Sequence, residues 1–177
     1  MNTPEPSRRR ASRIKRWLIE AAVFAAIFFA VQAWQQRDVP HGAAPGIVGT
    51  LADGRPFELD AWRKAHAGHA VALHFWADWC PICKTEEGSV SALSKDWPVM
   101  TVAMSSGSAA QVASYLSKKG LAWPALVDTD GRIAAAYGLK GVPALIVIDR
   151  QGAIRSASIG YTSEWGMRLR LWWAEHF

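Results

Sequence analysis

The sequence predicts a mixed α/β domain, a central sheet with helices packed on both faces, carried behind one N-terminal transmembrane helix. Three observations predict it. Strand-like apolar runs alternate with helix-like segments through most of the 177 residues, the pattern of layered α/β folds. A stretch bounded by Trp17 and Trp34, apolar apart from Glu20 and Gln32, is close to the length of a bilayer span. The only two cysteines, Cys80 and Cys83, stand three apart where a strand-like run gives way to a helix.

Residues 1–16 form a basic tail with six basic residues (Arg8, Arg9, Arg10, Arg13, Lys15, Arg16) against Glu5 alone. Residues 35–177 hold fourteen basic and thirteen acidic residues, so the net charge of +5 belongs to the tail. An apolar segment follows the arginines at once, which argues against nucleic acid as their partner and for membrane topology. Residues 17–34 read as a signal anchor with a tryptophan at each interface, the basic tail in the cytoplasm and the domain outside. Glu20 sits near enough the cytoplasmic end to reach headgroups. A cleaved signal peptide is the alternative, because Val31-Gln32-Ala33 places small residues near a cleavage point. Either way the domain is exported.

Residues 35–46, rich in Gln, Asp, Pro and Gly, read as a linker, and residues 47–177 as the domain. Gly49-Thr50-Leu51 and Pro56-Phe57-Glu58-Leu59 flank a turn and form a hairpin. Asp60 is expected to cap a short helix containing Trp62. Val71–Trp76 is a buried strand, and a helix runs from Pro81 toward Ser94. Val99–Met104 is the next strand. Ser108 caps a helix through Lys119 that Gly120 ends. An extended segment over 123–127, a turn at 128–131 and a short helix over 133–137 follow. Ala144–Ile148 is a strand, turned by 149–152 into Ala153–Ile159, and a helix from about Ser163 to Glu175 closes the chain. Trp172 and Trp173 are adjacent, and ordinary amphipathic packing is expected of them.

Pro81, directly after Cys80, suits the first turn of a helix, where its fixed φ is helical and its missing N–H is not needed. A helix N-terminus favours an anion, here a thiolate at Cys80. Cys83 lies one turn further in, and the pair suits reversible dithiol–disulfide exchange. A structural disulfide is a weaker reading, because two intervening residues close almost no loop. A zinc centre with His66 and His69 is the other rival. A strand of seven residues separates those histidines from the cysteines by about 20 Å. Trp79 is expected to form an exposed flank beside Cys80, and Trp76 to pack beneath.

Phe75-Trp76-Ala77-Asp78-Trp79-Cys80-Pro81-Ile82-Cys83-Lys84 resembles the active-site segment of thioredoxins. Gly141-Val142-Pro143-Ala144 with the strand after it resembles their cis-proline loop, sixty residues beyond Cys83. The thioredoxin resemblance covers residues 46–160, and the helix and strand between the two motifs, the early hairpin and the membrane helix resemble the TlpA/ResA/DsbE branch. The closing segment around Tyr161–Trp172 is similar to the membrane-bound thioredoxin-like proteins of copper-suppressor operons, the ScsD type.

The resemblance implies a thioredoxin-like fold and a protein-disulfide oxidoreductase that needs no bound cofactor and no metal. Cys80 would be the nucleophile and Cys83 the resolving thiol. Trp79, Pro81, Val142 and Pro143 would meet the substrate, the last two across a cis bond that offers Val142 backbone groups to an extended chain. Glu86, three residues after Cys83 and so on its side of the helix, matches an acid implicated in proton transfer for the buried thiol. The implied location is the inner membrane, single-pass, with the domain in the periplasm. The implied partners are exported disulfide-containing proteins and a transmembrane electron donor of the DsbD/ScsB kind, with copper tolerance a looser implication. Two residues depart from the pattern. His74 stands where thioredoxins carry a buried aspartate, either as a proton shuttle or as a neutral packed ring. Gly88 stands where many members have proline.

Overall fold

A computed structural model describes residues 6–177. The chain divides into two compact units, Met1–Arg37 and Asp38–Phe177. The first is a helix, α1 (Pro6–Gln36). Within it Arg13–Gln36, 24 residues with a mean hydropathy of 1.8, is long and apolar enough to cross a membrane. At 1.5 Å per residue it measures about 36 Å. Arg16 pairs with Glu20 one turn on, at 2.9 Å. Residues 1–5 of the basic tail and the side chains of Arg8, Arg9 and Arg10 lie outside the described residues.

The second unit runs β1 (Gly42–Ala43), β2 (Val48–Thr50), β3 (Pro56–Glu58), α2 (Leu59–Ala65), β4 (Val71–Trp76), α3 (Pro81–Leu93), β5 (Val99–Met104), α4 (Ala109–Lys119), β6 (Ala125–Asp128), α5 (Arg132–Ala136), β7 (Ala144–Ile148), β8 (Ala153–Ile159) and α6 (Glu164–His176). Six strands form one mixed sheet in the order β1-β8-β7-β4-β5-β6, and β2 with β3 makes a separate hairpin. The central strands β4 and β7 are buried along their whole length, as runs that are apolar apart from His74 require of strands covered on both faces.

Side chains alternate across β4. Ala72 and Trp76 pack in one cluster with residues of α3, α4 and α6. Val71, Leu73 and Phe75 pack in the other, with the hairpin, α2 and α5. The helix ends follow local chemistry. Ser108 and Gln111 form a reciprocal capping box at the start of α4, and Gly120 closes it at φ 65°, a left-handed position that suits glycine. Asp128, buried at the end of β6, accepts hydrogen bonds from the Ile133 and Ala134 amides at 3.0 and 2.9 Å and so starts α5.

Three expectations need correction. The stretch read as a linker is ordered within the second unit from Asp38 onward. Gly42 and Ala43 pair with Ile154 and Ala153 of β8, and the Tyr137 hydroxyl donates to the Pro45 carbonyl at 2.7 Å. Gly138, at φ 68°, lies so close to the Asp38 carbonyl that a Cβ there would collide with it. These partners are distant in sequence, so local composition could not announce them. Asp60 does not cap α2: Glu58 holds the cap position without a side-chain bond, and Asp60 lies in the first turn, where its charge favours the helix dipole. Finally, both Trp172 and Trp173 are exposed. The buried side of α6 is Met167, Leu171 and Ala174, and each tryptophan instead stacks on a neighbour one turn on, His176 and Phe177 respectively.

Candidate active site

The β4 strand delivers the chain to the N-terminus of α3. Cys80 is the N-cap of that helix, in extended conformation, and Pro81 opens its first turn. Cys80 and Cys83 are joined as a disulfide with Cα atoms 5.3 Å apart. The Cys83 amide donates to Cys80 Sγ at 3.2 Å. That amide is one of the donors a helix N-terminus leaves without an intrahelical partner, and it points at the sulfur that carries charge once the bond opens. The electrostatics therefore favour a thiolate at Cys80. Both cysteines are buried, at 3% and 4% exposure.

The Val142–Pro143 peptide bond is cis. It brings the Val142 carbonyl oxygen to 3.6 Å from Cys80 Sγ, so the two motifs sixty residues apart form one site. Trp79 is 57% exposed. Its indole N–H donates to the Ser105 carbonyl at 3.0 Å, which fixes the ring as a flank beside Cys80. Ser105 itself takes a positive φ of 48°. Ile82 is exposed as well, so apolar surface surrounds a disulfide that is itself recessed. Trp76 is buried and packs between Tyr115 and Trp123. The Tyr115 hydroxyl donates to Glu87 at 2.7 Å, and burial, then the Glu87 charge, raises its phenol above the usual range.

Glu86 is buried beneath the site. One of its oxygens lies 3.0 Å from His74 Nε2 in a hydrogen bond, and the other accepts from the Thr162 amide. His74 is equally buried, its ring edge-on to Trp123. Sequence reasoning named His74 and Glu86 singly and missed that they touch, and it missed Thr162 altogether. No local pattern links a strand, a helix and a loop 76 residues apart. His66 and His69 are not brought to the cysteines: His66 bonds the Trp62 carbonyl and His69 the Glu175 carboxylate. Among the described residues no three His, Cys, Asp or Glu side chains gather as a metal site would require.

A redox-paired Cys-Pro-Ile-Cys at a helix N-terminus, beside a cis-proline loop at the same end of a mixed sheet, defines a thioredoxin-like thiol-disulfide exchange protein. Comparison with known proteins agrees. The chain belongs to the AhpC/TSA family, whose family model matches residues 40–157. It is 32% identical over 131 residues to a thioredoxin-like protein of Haemophilus influenzae, covering 72% of this chain and 76% of that one. It is 30% identical over 145 residues to a thiol:disulfide interchange protein DsbE homolog of Paracoccus denitrificans, covering 77% and 80%. A solved thiol:disulfide interchange protein of the thioredoxin family from Chlorobium tepidum shares the fold, with a TM-score of 0.65 at 23% identity over 78% of this chain and 99% of that one. The protein is a thiol-disulfide oxidoreductase of the ResA/DsbE type, and its substrates as a class are disulfide-containing proteins.

Proposed function

We propose that the chain works outside the cytoplasm, tethered to the membrane by α1, as a reductant of disulfides in exported proteins. The observation that carries the exchange chemistry is the Cys80–Cys83 disulfide set against the Val142 carbonyl, a backbone acceptor placed to pair with an extended chain. Main-chain pairing of that kind gives affinity without demanding a sequence. With the pair reduced, the Cys80 thiolate attacks a substrate disulfide and forms a mixed disulfide while one substrate sulfur leaves as thiolate. Cys83 then attacks Cys80, the Cys80–Cys83 bond forms, and the second substrate sulfur leaves with its electron pair. Trp79, Pro81, Val142 and Pro143 form the contact surface, and the buried carboxyl of Glu86 belongs to the acid–base apparatus of Cys83. No cofactor enters these steps, because the cysteines carry the electrons.

The location is supported by α1, whose span-length apolar stretch follows a basic tail. That order favours an N-terminus in the cytoplasm and a domain in the periplasm. A transmembrane dithiol donor of the DsbD/ScsB kind would return the electrons, and the ScsD-like C-terminal segment extends the reading to copper tolerance. The deciding experiment measures the reduction potential of the full-length protein in detergent against glutathione. A value below about −220 mV supports a reductant that needs a donor, whereas one near −120 mV makes it an oxidant and overturns the direction proposed.

A further inference from the structure

The closing helix α6 is apolar on two opposite sides. Met167, Leu171 and Ala174 are buried in the core. On the other side Trp165, Leu169 and Trp172 follow at the i, i+4, i+7 spacing of a second stripe, with Trp173 beside it. All four are exposed, Trp165 at 81% and Leu169 at 62%. Phe177 extends the patch past the helix end, stacked on Trp173 with ring centroids 4.5 Å apart. Single surface hydrophobes need no explanation, but a run of neighbouring exposed aromatics marks an interaction surface.

The charges of α6 frame this stripe without crossing it. Glu164 pairs with Arg168, which also holds Asp96 at 2.7 Å. Glu175 accepts from the Ala70 amide, just before β4. Arg170 lies about 100° round the helix from Leu169. It donates to the Gly166 carbonyl and has no carboxylate partner among the described residues. Tryptophan, leucine and phenylalanine flanked by arginine, with no acid among them, suit a helix lying in the headgroup layer of a bilayer.

Protein interfaces also favour tryptophan and arginine, and the path of the chain selects the lipid surface. Gly42 and Ala43 join the sheet against Ile154 and Ala153 of β8, six residues after α1 ends at Gln36. Fully extended, those six residues span about 20 Å. The next residue of β8, Arg155, donates to the Phe177 carbonyl at 3.1 Å. The aromatic end of α6 and the point where the tether enters thus share one edge of the domain. A short tether rooted in a bilayer keeps that edge close to the lipid.

We infer that the exposed face of α6 is a second membrane contact, resting in the headgroup layer with its aromatic rings toward the acyl boundary and Arg170 toward lipid phosphates. The inference rests on the anchored reading of α1. A single span leaves a domain free to swivel, and a second contact fixes its orientation. The helix α6 packs on α3, whose N-terminus carries the cysteines, and packed helix axes lie about 8–10 Å apart. Seating α6 on the headgroups therefore holds the disulfide near the membrane surface, at the height of membrane-held partners.

The test uses the oxidised full-length protein, in which Cys80 and Cys83 are joined and an introduced thiol alone takes a nitroxide label. Leu169→Cys, Ala135→Cys and Val23→Cys are each placed in nanodiscs of phosphatidylethanolamine and phosphatidylglycerol. Relaxation of the label by oxygen, which partitions into lipid, is compared with relaxation by a water-soluble nickel chelate. Ala135 is exposed on α5, which packs against the other face of the sheet, and Val23 lies in the apolar stretch of α1. The label at 23 should respond to oxygen and not to nickel. The label at 169 should respond to oxygen and lose most of its nickel relaxation, while that at 135 keeps its nickel relaxation in full. Nickel relaxation at 169 equal to that at 135, with the label at 23 in lipid, overturns the α6 contact and leaves the anchor standing. Nickel relaxation at 23 sinks the anchored reading and the inference with it. A label at 169 shielded from both reagents lies against protein, a second copy or another chain, and overturns the bilayer as the occupant. Equal loss of nickel relaxation at 135 and 169 overturns the assignment to α6, because no particular face is then selected.

Discussion

The Thr162 amide donates to the Glu86 carboxylate across 76 residues of sequence. That bond ties α3, which carries both cysteines, to the loop that follows β8. Two residues earlier, the Gly160 amide donates to the Pro143 carbonyl at 2.8 Å. One short loop therefore holds both halves of the site, and the spacing between Cys80 and the Val142 carbonyl is set from below.

Glu86→Ala should be the costliest polar truncation near the site. It orphans the Thr162 amide and removes the partner of His74, two buried groups at once. The expected loss is about 3 kcal/mol, read from urea unfolding, with Glu86→Gln milder. A loss under about 0.5 kcal/mol would mean that both groups find other partners and that the loop does not depend on this bond.

Cys83→Ala should convert transient exchange into capture. Without the resolving thiol, Cys80 remains joined to its substrates, and non-reducing gels should show adducts that vanish with reductant. Cys80→Ala should show none. Adducts of equal yield in both variants would contradict the assignment of Cys80 as the attacking thiol.

Tyr137 links the first residues of the second unit to the core, and its alkaline behaviour has a definite sign. Burial raises its phenol well above the ordinary value, which is about 10. The unfolded chain thus releases the proton near pH 10 while the folded protein keeps it, so the unfolded state binds fewer protons there. Stability is intact below pH 10 and falls as pH rises beyond it. Tyr137→Phe loses the bond to Pro45, at a cost of about 1–2 kcal/mol at pH 7, and should flatten the alkaline fall. Thermal melts from pH 8 to 11 check both.

Asp128→Ala should loosen α5. The buried carboxylate satisfies two amides of that five-residue helix, which has too few internal bonds to stand alone. The expected cost is about 2–3 kcal/mol, with hydrogen exchange faster first at Ile133 and Ala134. Uniform acceleration across the sheet instead would show that α5 does not open on its own.

Much of this was legible in the sequence because the signals are local. The strand over 144–148 is an unbroken apolar run, those over 71–76 and 99–104 are apolar but for His74 and Thr101, that over 153–159 follows the turn at 149–152, and Ser108, Gly120 and Pro81 mark their helix ends by side-chain chemistry within a few residues. The cysteine pair and Val142–Pro143 were readable as motifs, and their meeting follows from the fold those motifs imply. What escaped depends on distant partners. Gly42 and Ala43 become a strand only because Ile154 and Ala153 offer an edge. The His74–Glu86 contact needs the packing of α3 on β4. Asp60 looked like a cap because the turn before it looked complete, yet Leu59 already belongs to the helix.

The recess around the two sulfurs bears on who can trade electrons with this protein. A surface-exposed disulfide would equilibrate with whatever small thiol diffuses past. Here the sulfurs are almost out of reach of solvent, and the approach runs between the exposed Trp79 and Ile82 rings and side chains and the carbonyl of Val142. A visitor that can lie along that edge gains contact before chemistry, whereas a lone thiol gains none. The burial thus favours partners that can lie along that edge over a lone thiol, with which exchange is slower though still able to reach equilibrium.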